Sequence, residues 1–186
     1  MPQTPRNQLF DSIKGIFRRR ALKKNASPVQ TAITPVSSVK TAVTFIDVED
    51  TSFDACKEAI LSFYRENGIK GEIFFFDFRK IGSGERLITS ITNTVLERDV
   101  NWYGKPSEEK MKLLENLNPE LFISLIKGTD FPIEYMATCC RARFKIGRCQ
   151  IPGRIFDMVV ADAPGRETSQ LEVFKGVKKY LRNIGA

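Results

Sequence analysis

Residues 41–78 read TAVTFIDVEDTSFDACKEAILSFYRENGIKGEIFFFDF, and the periodicity of the chain changes twice within them. The run TAVTFIDV is short and rich in residues that suit a strand. Thr51 or Ser52 then stands where a helix is capped, and Phe53, Cys56, Ile60, Phe63 and Tyr64 make one apolar stripe down a helix that reaches about Asn67. Asn67-Gly68 ends it, because glycine accepts the left-handed conformation of a C-terminal cap. GEIFFFDF at 71–78 is a second strand, and three adjacent phenylalanines suit a strand covered on both faces. A strand, a helix and a buried strand in succession make a parallel pair joined by a right-handed crossover.

Downstream, the same alternation continues. Gly82-Ser83-Gly84 marks a loop, and residues 87–96 are Thr-rich and β-branched, which favours extended structure over helix. Asn101-Trp102-Tyr103-Gly104 reads as a short strand or its exit. Ser107 caps a helix carrying Glu108 and Glu109 in its positive first turn, ELFISLI at 120–126 is a strand, and Asp130 with Pro132 opens a short helix over 131–140. Residues 142–146 and 155–160 are two more strands, and Ser169 with Glu172 forms a capping box for a last helix whose stripe is Leu171, Phe174, Val177, Leu181 and Ile184. The expected fold is α/β: a Rossmann-like three-layer sandwich with a mainly parallel sheet of five to six strands over residues 40–186. Strand 41–48 should lie between 71–78 and 120–126, in the order 3-2-1-4-5 with 155–160 on the far side.

Upstream lies a different kind of sequence. Residues 1–24 hold Arg6, Lys14, Arg18, Arg19, Arg20, Lys23 and Lys24 against Asp11 alone, whereas the whole chain of 186 residues has 29 basic and 22 acidic side chains. Most of the net charge of +7 therefore belongs to this end, and the rest of the chain is close to neutral. Leu9, Phe10, Ile13, Ile16 and Phe17 recur at helical spacing beside those charges, so residues 1–24 are read as a basic amphipathic helix. Residues 25–39, with Pro28 and Pro35 among Ala, Ser, Thr and Gln, carry no amphipathic period and are expected to be a flexible linker. Such a linker has nothing to anchor the helix, which should pack weakly on the domain or not at all.

Composition removes whole classes of chemistry. There is no histidine, which excludes Ser-His-Asp and Cys-His catalysis and His-ligated metals. Cys56, Cys139, Cys140 and Cys149 lack the paired spacing of a zinc site, and no secretory leader precedes them, so they are read as reduced core thiols. The turn after the first strand, Asp47-Val48-Glu49-Asp50, has three carboxylates where a dinucleotide fold has glycines. It is either a solvated acidic loop or a place for a magnesium ion. Lys127-Gly128-Thr129-Asp130 leaves a strand and opens a helix, so it is either an Asp-capped helix start or a seat for an anion. Asp47, Asp50, Lys127, Gly128 and Thr129 together define a candidate ligand crevice at the strand exits. Arg141, Arg143, Lys145 and Arg148 form a basic cluster, and alternation through 142–146 places Arg143 and Lys145 on a solvent face of an edge strand.

ELFISLIKGTDFPIEYMATCCRARFKIGR at 120–148, DVNWYGKP at 99–106, TAVTFID at 41–47 and IFDMVV at 155–160 resemble an uncharacterised bacterial family common in Bacteroidota. The likeness spans about residues 8–183 and implies the α/β fold without implying an activity. LFISLI at 121–126 and RFKIG at 143–147 more weakly resemble the N-terminal half of heptosyltransferase-type, GT-B glycosyltransferases. That second likeness implies binding of a small ligand or nucleotide-sugar.

The expected protein is a non-catalytic module with no metal, no cofactor and no catalytic residue, lying in the cytoplasm and peripherally at the inner face of the membrane. Lys14, Arg18, Arg19, Arg20, Lys23 and Lys24 are the candidate tether to an anionic membrane surface or a protein partner. Ligand binding in the crevice is the alternative, and nucleic-acid binding by the same charges is less favoured. Oligomeric state is left open.

Overall fold

The computed structural model describes residues 5–79, 92–162, 165 and 167–184, with the side chains of 5–9 left aside. Its elements in chain order are α1 (Pro5–Asn25), β1 (Thr41–Asp47), α2 (Phe53–Glu66), β2 (Lys70–Asp77), β3 (Thr94–Leu96), α3 (Glu108–Leu117), β4 (Leu121–Ser124), α4 (Phe131–Cys139), β5 (Phe144–Gly147), β6 (Met158–Val159) and α5 (Gln170–Asn183). The six strands form one all-parallel sheet in the order β3-β2-β1-β4-β5-β6. This is the Rossmann-like arrangement expected, with β1 between β2 and β4. The Gly82-Ser83-Gly84 loop lies outside the described residues.

Alternation along the strands divides the core in two. Ala42 and Ile46 of β1, Ile73 and Phe75 of β2, Leu121 and Ile123 of β4 and Phe144 and Ile146 of β5 face α2 and α5. Val43, Phe45, Phe74, Phe76 and Phe122 face α3 and α4. The triple phenylalanine thus feeds both layers, as a central strand must. Phe45 stands edge-on to Phe122, with ring centroids 4.7 Å apart. Thr44, buried in β1, shares a 2.7 Å hydrogen bond with the Tyr64 hydroxyl. That ring lies so close to Gly71 that a Cβ there would sit 2.2 Å from it.

The basic cluster does not lie on an edge strand. β6 covers β5, so β5 is interior and its four residues are all buried. Arg143 stands just before the strand and is exposed, while Lys145 is buried against α4 and donates from Nζ to the Ala137 carbonyl at 2.9 Å. Ala137 is in the last turn of α4, where carbonyls lack helical partners and favour a cation. Burial lowers the Lys145 pKa. Arg148, at the strand exit, is buried as well.

The basic helix is also better held than its sequence suggests. Arg18 Nε donates to the Tyr103 carbonyl at 2.7 Å, and its guanidinium lies 4.7 Å from the centre of the Phe131 ring. Phe17 meets Trp102 edge-on at 5.1 Å. The segment after α1 is tied down along its path. Ser27 N donates to the Thr138 carbonyl, Ala32 N to the Arg143 carbonyl, and the Thr31 hydroxyl to Asp157, before Val39 is buried at the approach to β1. These anchors are backbone groups and a hydroxyl, which leave no trace in a hydropathy pattern.

Candidate functional site

In an open parallel sheet, ligands enter where the strand order reverses, beyond the C-terminal ends of the strands. Here that place lies between β1 and β4, and residues from four segments meet in it. Asp47 and Asp50 come from the exit of β1, and Lys127, Gly128 and Thr129 from the exit of β4. Arg148 follows β5, and Gln170 begins α5.

Gln170 is wholly buried, and its amide copies a strand partner. Nε2 donates to the Asp47 carbonyl at 2.8 Å, and Oε1 accepts from the Asp47 N–H at 3.1 Å. Arg148 makes a two-pronged contact with Asp162, Nε and Nη2 lying 3.1 and 3.0 Å from its carboxylate oxygens. It also donates to the Leu125 and Thr168 carbonyls and lies 3.8 Å from Asp50. A buried guanidinium is tolerated only with such a complete set of acceptors.

The start of α5 would be the natural seat for a phosphate, but its donors are already used. Gln170 N bonds Asp50 Oδ2 at 3.0 Å, Leu171 N bonds Ser52 Oγ at 3.1 Å, and Glu172 N bonds Ser169 Oγ at 3.3 Å. Glu172 returns a bond to Ser169 N, completing the capping box. Ser52 stands at the N-cap position of α2, but its hydroxyl makes no cap bond there: it donates to Asp50 and accepts from Leu171 N of α5. Asp130 is at the N-cap position of α4, where its side chain makes no cap bond.

The two carboxylates of the β1 exit are tuned in opposite directions. Burial raises the pKa of Asp47, and the neighbouring Asp50 and Asp77 add to this against the Glu49 N–H and Arg79. Burial also pushes Asp50 upward, but the Ser52 hydroxyl and N–H, the Gln170 N–H and Arg148 outweigh it, and its pKa is lowered. Asp77 is engaged by Arg79 at 2.9 Å. Lys127 is exposed and reaches Asp162 and Glu167 only at 4.0 and 3.8 Å. Gly128 and Thr129 lie on the rim, where the Gly128 carbonyl is 3.7 Å from the Cys149 sulfur. Among the described residues, no cluster of three or more Cys, Asp or Glu side chains is placed to hold a metal.

The thiols sit in packing positions. Burial lifts Cys56 to about 12 and Cys139 and Cys140 to about 11, so none is a thiolate at neutral pH. Away from the crevice, a groove of about 410 Å³ runs beside the DVNWYGKP loop, lined among others by Arg98, Asn101, Lys105 and Glu108.

Sequence reasoning missed Arg148, Asp162 and Gln170 as groups bonded at the strand exits. Arg148 reads only as a member of a basic cluster, and a glutamine beside a capping box carries no signal of its own. The pieces define a Rossmann-like α/β protein in which Asp50, Arg148, Asp162 and Gln170 are bonded to one another or to the backbone at the strand exits. The chain belongs to the Family of unknown function (DUF6913), whose profile matches residues 14–184. No curated protein and no solved structure is significantly similar to it. The glycosyltransferase likeness therefore gains no support, whereas the wider resemblance to a family without assigned activity is met.

Proposed function

We propose that this protein is a non-catalytic α/β module that works at an anionic membrane surface, held there by α1. One observation carries the reading. With α1 docked through Phe17, Arg18, Ala21 and Leu22, the helix still leaves Ile13 and Ile16 exposed and Phe17 partly so. Arg19, Arg20, Lys23 and Lys24 are exposed beside them. An apolar stripe with cations along it is the form of an interfacial helix. No helix among the described residues is long and apolar enough to cross a membrane, so attachment would be peripheral. The engaged polar groups at the strand exits and the raised thiol pKa values support the non-catalytic part.

The position of Arg18 narrows the cations proposed for the tether. Arg18 faces the domain, so the free set is Lys14, Arg19, Arg20, Lys23 and Lys24. Each exposed cation near an anionic leaflet contributes about 1 kcal/mol, and the attraction weakens with salt. Flotation with vesicles containing phosphatidylserine tests this. Wild-type protein should float at low salt, less so at high salt, and not with phosphatidylcholine alone. Changing Arg19, Arg20, Lys23 and Lys24 to glutamate should abolish flotation without lowering Tm. Equal flotation of that variant, or none by the wild type, rules the reading out.

A further inference from the structure

We infer that the membrane-facing surface is a composite of α1 and the loop at 99–106, with Trp102 as its inserted anchor; this rests on the reading above and adds to it. Among the described residues, seven large apolar side chains are exposed: Phe10, Ile13, Ile16, Phe17, Ile33, Trp102 and Tyr180. All but Ile33 and Tyr180 gather in one ridge. Phe10 and Phe17 flank the Trp102 ring at 5.9 and 5.1 Å, and Ile13 lies between them one helical turn from each. Trp102 itself remains 50% exposed. Their mutual contacts help seat α1 on the loop, yet all five stay exposed, and an apolar patch left in water marks an interaction surface.

The loop is built to hold the indole out. Asn101 Oδ1 accepts from Tyr103 N and Lys105 N at 3.2 and 2.9 Å, and Asn101 N donates to the Lys105 carbonyl at 2.9 Å. Gly104 takes φ +91°, a conformation that other residues resist. Val100 and Pro106 form an antiparallel bridge that closes the base. Arg18 then fixes the tip to α1 through the Tyr103 carbonyl. A ring presented this rigidly has little freedom left to lose on binding. Indole prefers the boundary between hydrocarbon and water, so the ridge supplies the interfacial aromatic that α1 lacks.

Charge selects an anionic bilayer over a second copy of the chain. The row Ile13, Phe17, Arg20, Lys24 runs along one side of α1 in steps of three and four, as does Ile16, Arg20, Lys23. The apolar patch therefore passes directly into cations, which would repel each other across a symmetric dimer but pair with lipid phosphates.

Trp102 is the chain's single tryptophan, so it reports on itself. Full-length protein should show a blue-shifted emission on adding phosphatidylserine vesicles, and quenching by lipids brominated near the headgroup end of the acyl chain. Trp102→Ala should weaken vesicle binding tenfold or more, with Trp102→Phe recovering most of it. If the wild type floats with these vesicles while its emission stays unchanged, the anchor is wrong and the helix alone binds. If the wild type does not float, the tether reading and this inference fall together. A dimer in size-exclusion chromatography that Trp102→Ala converts to monomer overturns the inference in favour of a second copy as the occupant. The emission reading needs no substitution, so a loosened α1 in the alanine variant does not confuse it.

Discussion

Gly147 leaves no room for a side chain because Phe156 lies where one would be: a Cβ there would meet that ring at 2.4 Å. Phe156 in turn lies parallel to Phe122 of β4 with centroids 6.3 Å apart, so displacing it would disturb that buried pair. Gly147→Ala is expected to cost about 1–3 kcal/mol, the usual penalty for overpacking a core, seen as a lower urea midpoint at unchanged slope. Asp50 makes a prediction in pH. Its folded pKa lies below the unfolded value, so its stabilisation is complete above that value and lost as pH falls through the folded one. Asp47 has a raised folded pKa and acts with the opposite sign, adding stability as pH falls through that raised value. In melts taken from about pH 6 down to about pH 3, the gap between wild type and Asp50→Asn should narrow with acid, while Asp47→Asn should lose ground to wild type as pH falls. At this scale the sequence told residue types and little about partners. Lys145 reads as a solvent charge and Arg148 as one of a basic cluster, because nothing near them in the chain names Ala137, Asp162 or Thr168 as their acceptors.

Elements were far more legible than contacts. β1, α2 and β2 follow their periodicities closely, and Ser107 and the Ser169–Glu172 box cap α3 and α5 as their spacing implies. A cap is local, so a few adjacent residues suffice to read it. The seat of α1 is not local: Arg18 and Tyr103 are 85 positions apart. The same holds for the crevice, where Gln170 completes the exit of β1 from 123 positions away. Arg18→Ala should therefore raise amide exchange in α1 about tenfold or more, as loss of a hydrogen bond to a charged group is worth about 1.5–3 kcal/mol. Arg19→Ala, at an exposed position, should leave exchange unchanged. Equal effects in the two variants would mean that the Tyr103 carbonyl does not hold the helix.

Across the whole molecule, α1 forms an outer layer over α4. Arg18 sits at the start of α4 over Phe131, and Ser27 bonds Thr138 near its end, so the two helices run in the same direction. Residues 26–39 then pass β5 and reach β1 under hydrogen bonds to Thr138, Asp157 and Arg143. Removing residues 1–25 should lower Tm by about 4–8 °C, which corresponds to about 2 kcal/mol in a domain of this size, while far-UV circular dichroism still shows the sheet. An unchanged Tm would mean that the helix contributes nothing to the domain.

This strap also sets a timetable. Its partners Thr138, Arg143 and Asp157 are among the later residues to leave the ribosome, more than a hundred positions behind the strap itself. At a synthesis rate of about 5–20 residues per second, the wait is on the order of ten seconds. Throughout it α1 has no domain to dock on, and its full apolar and cationic circumference is open. Under the proposed tether, α1 would be open to an anionic surface before the fold exists, and docking on α4 later partly covers Arg18 and Leu22.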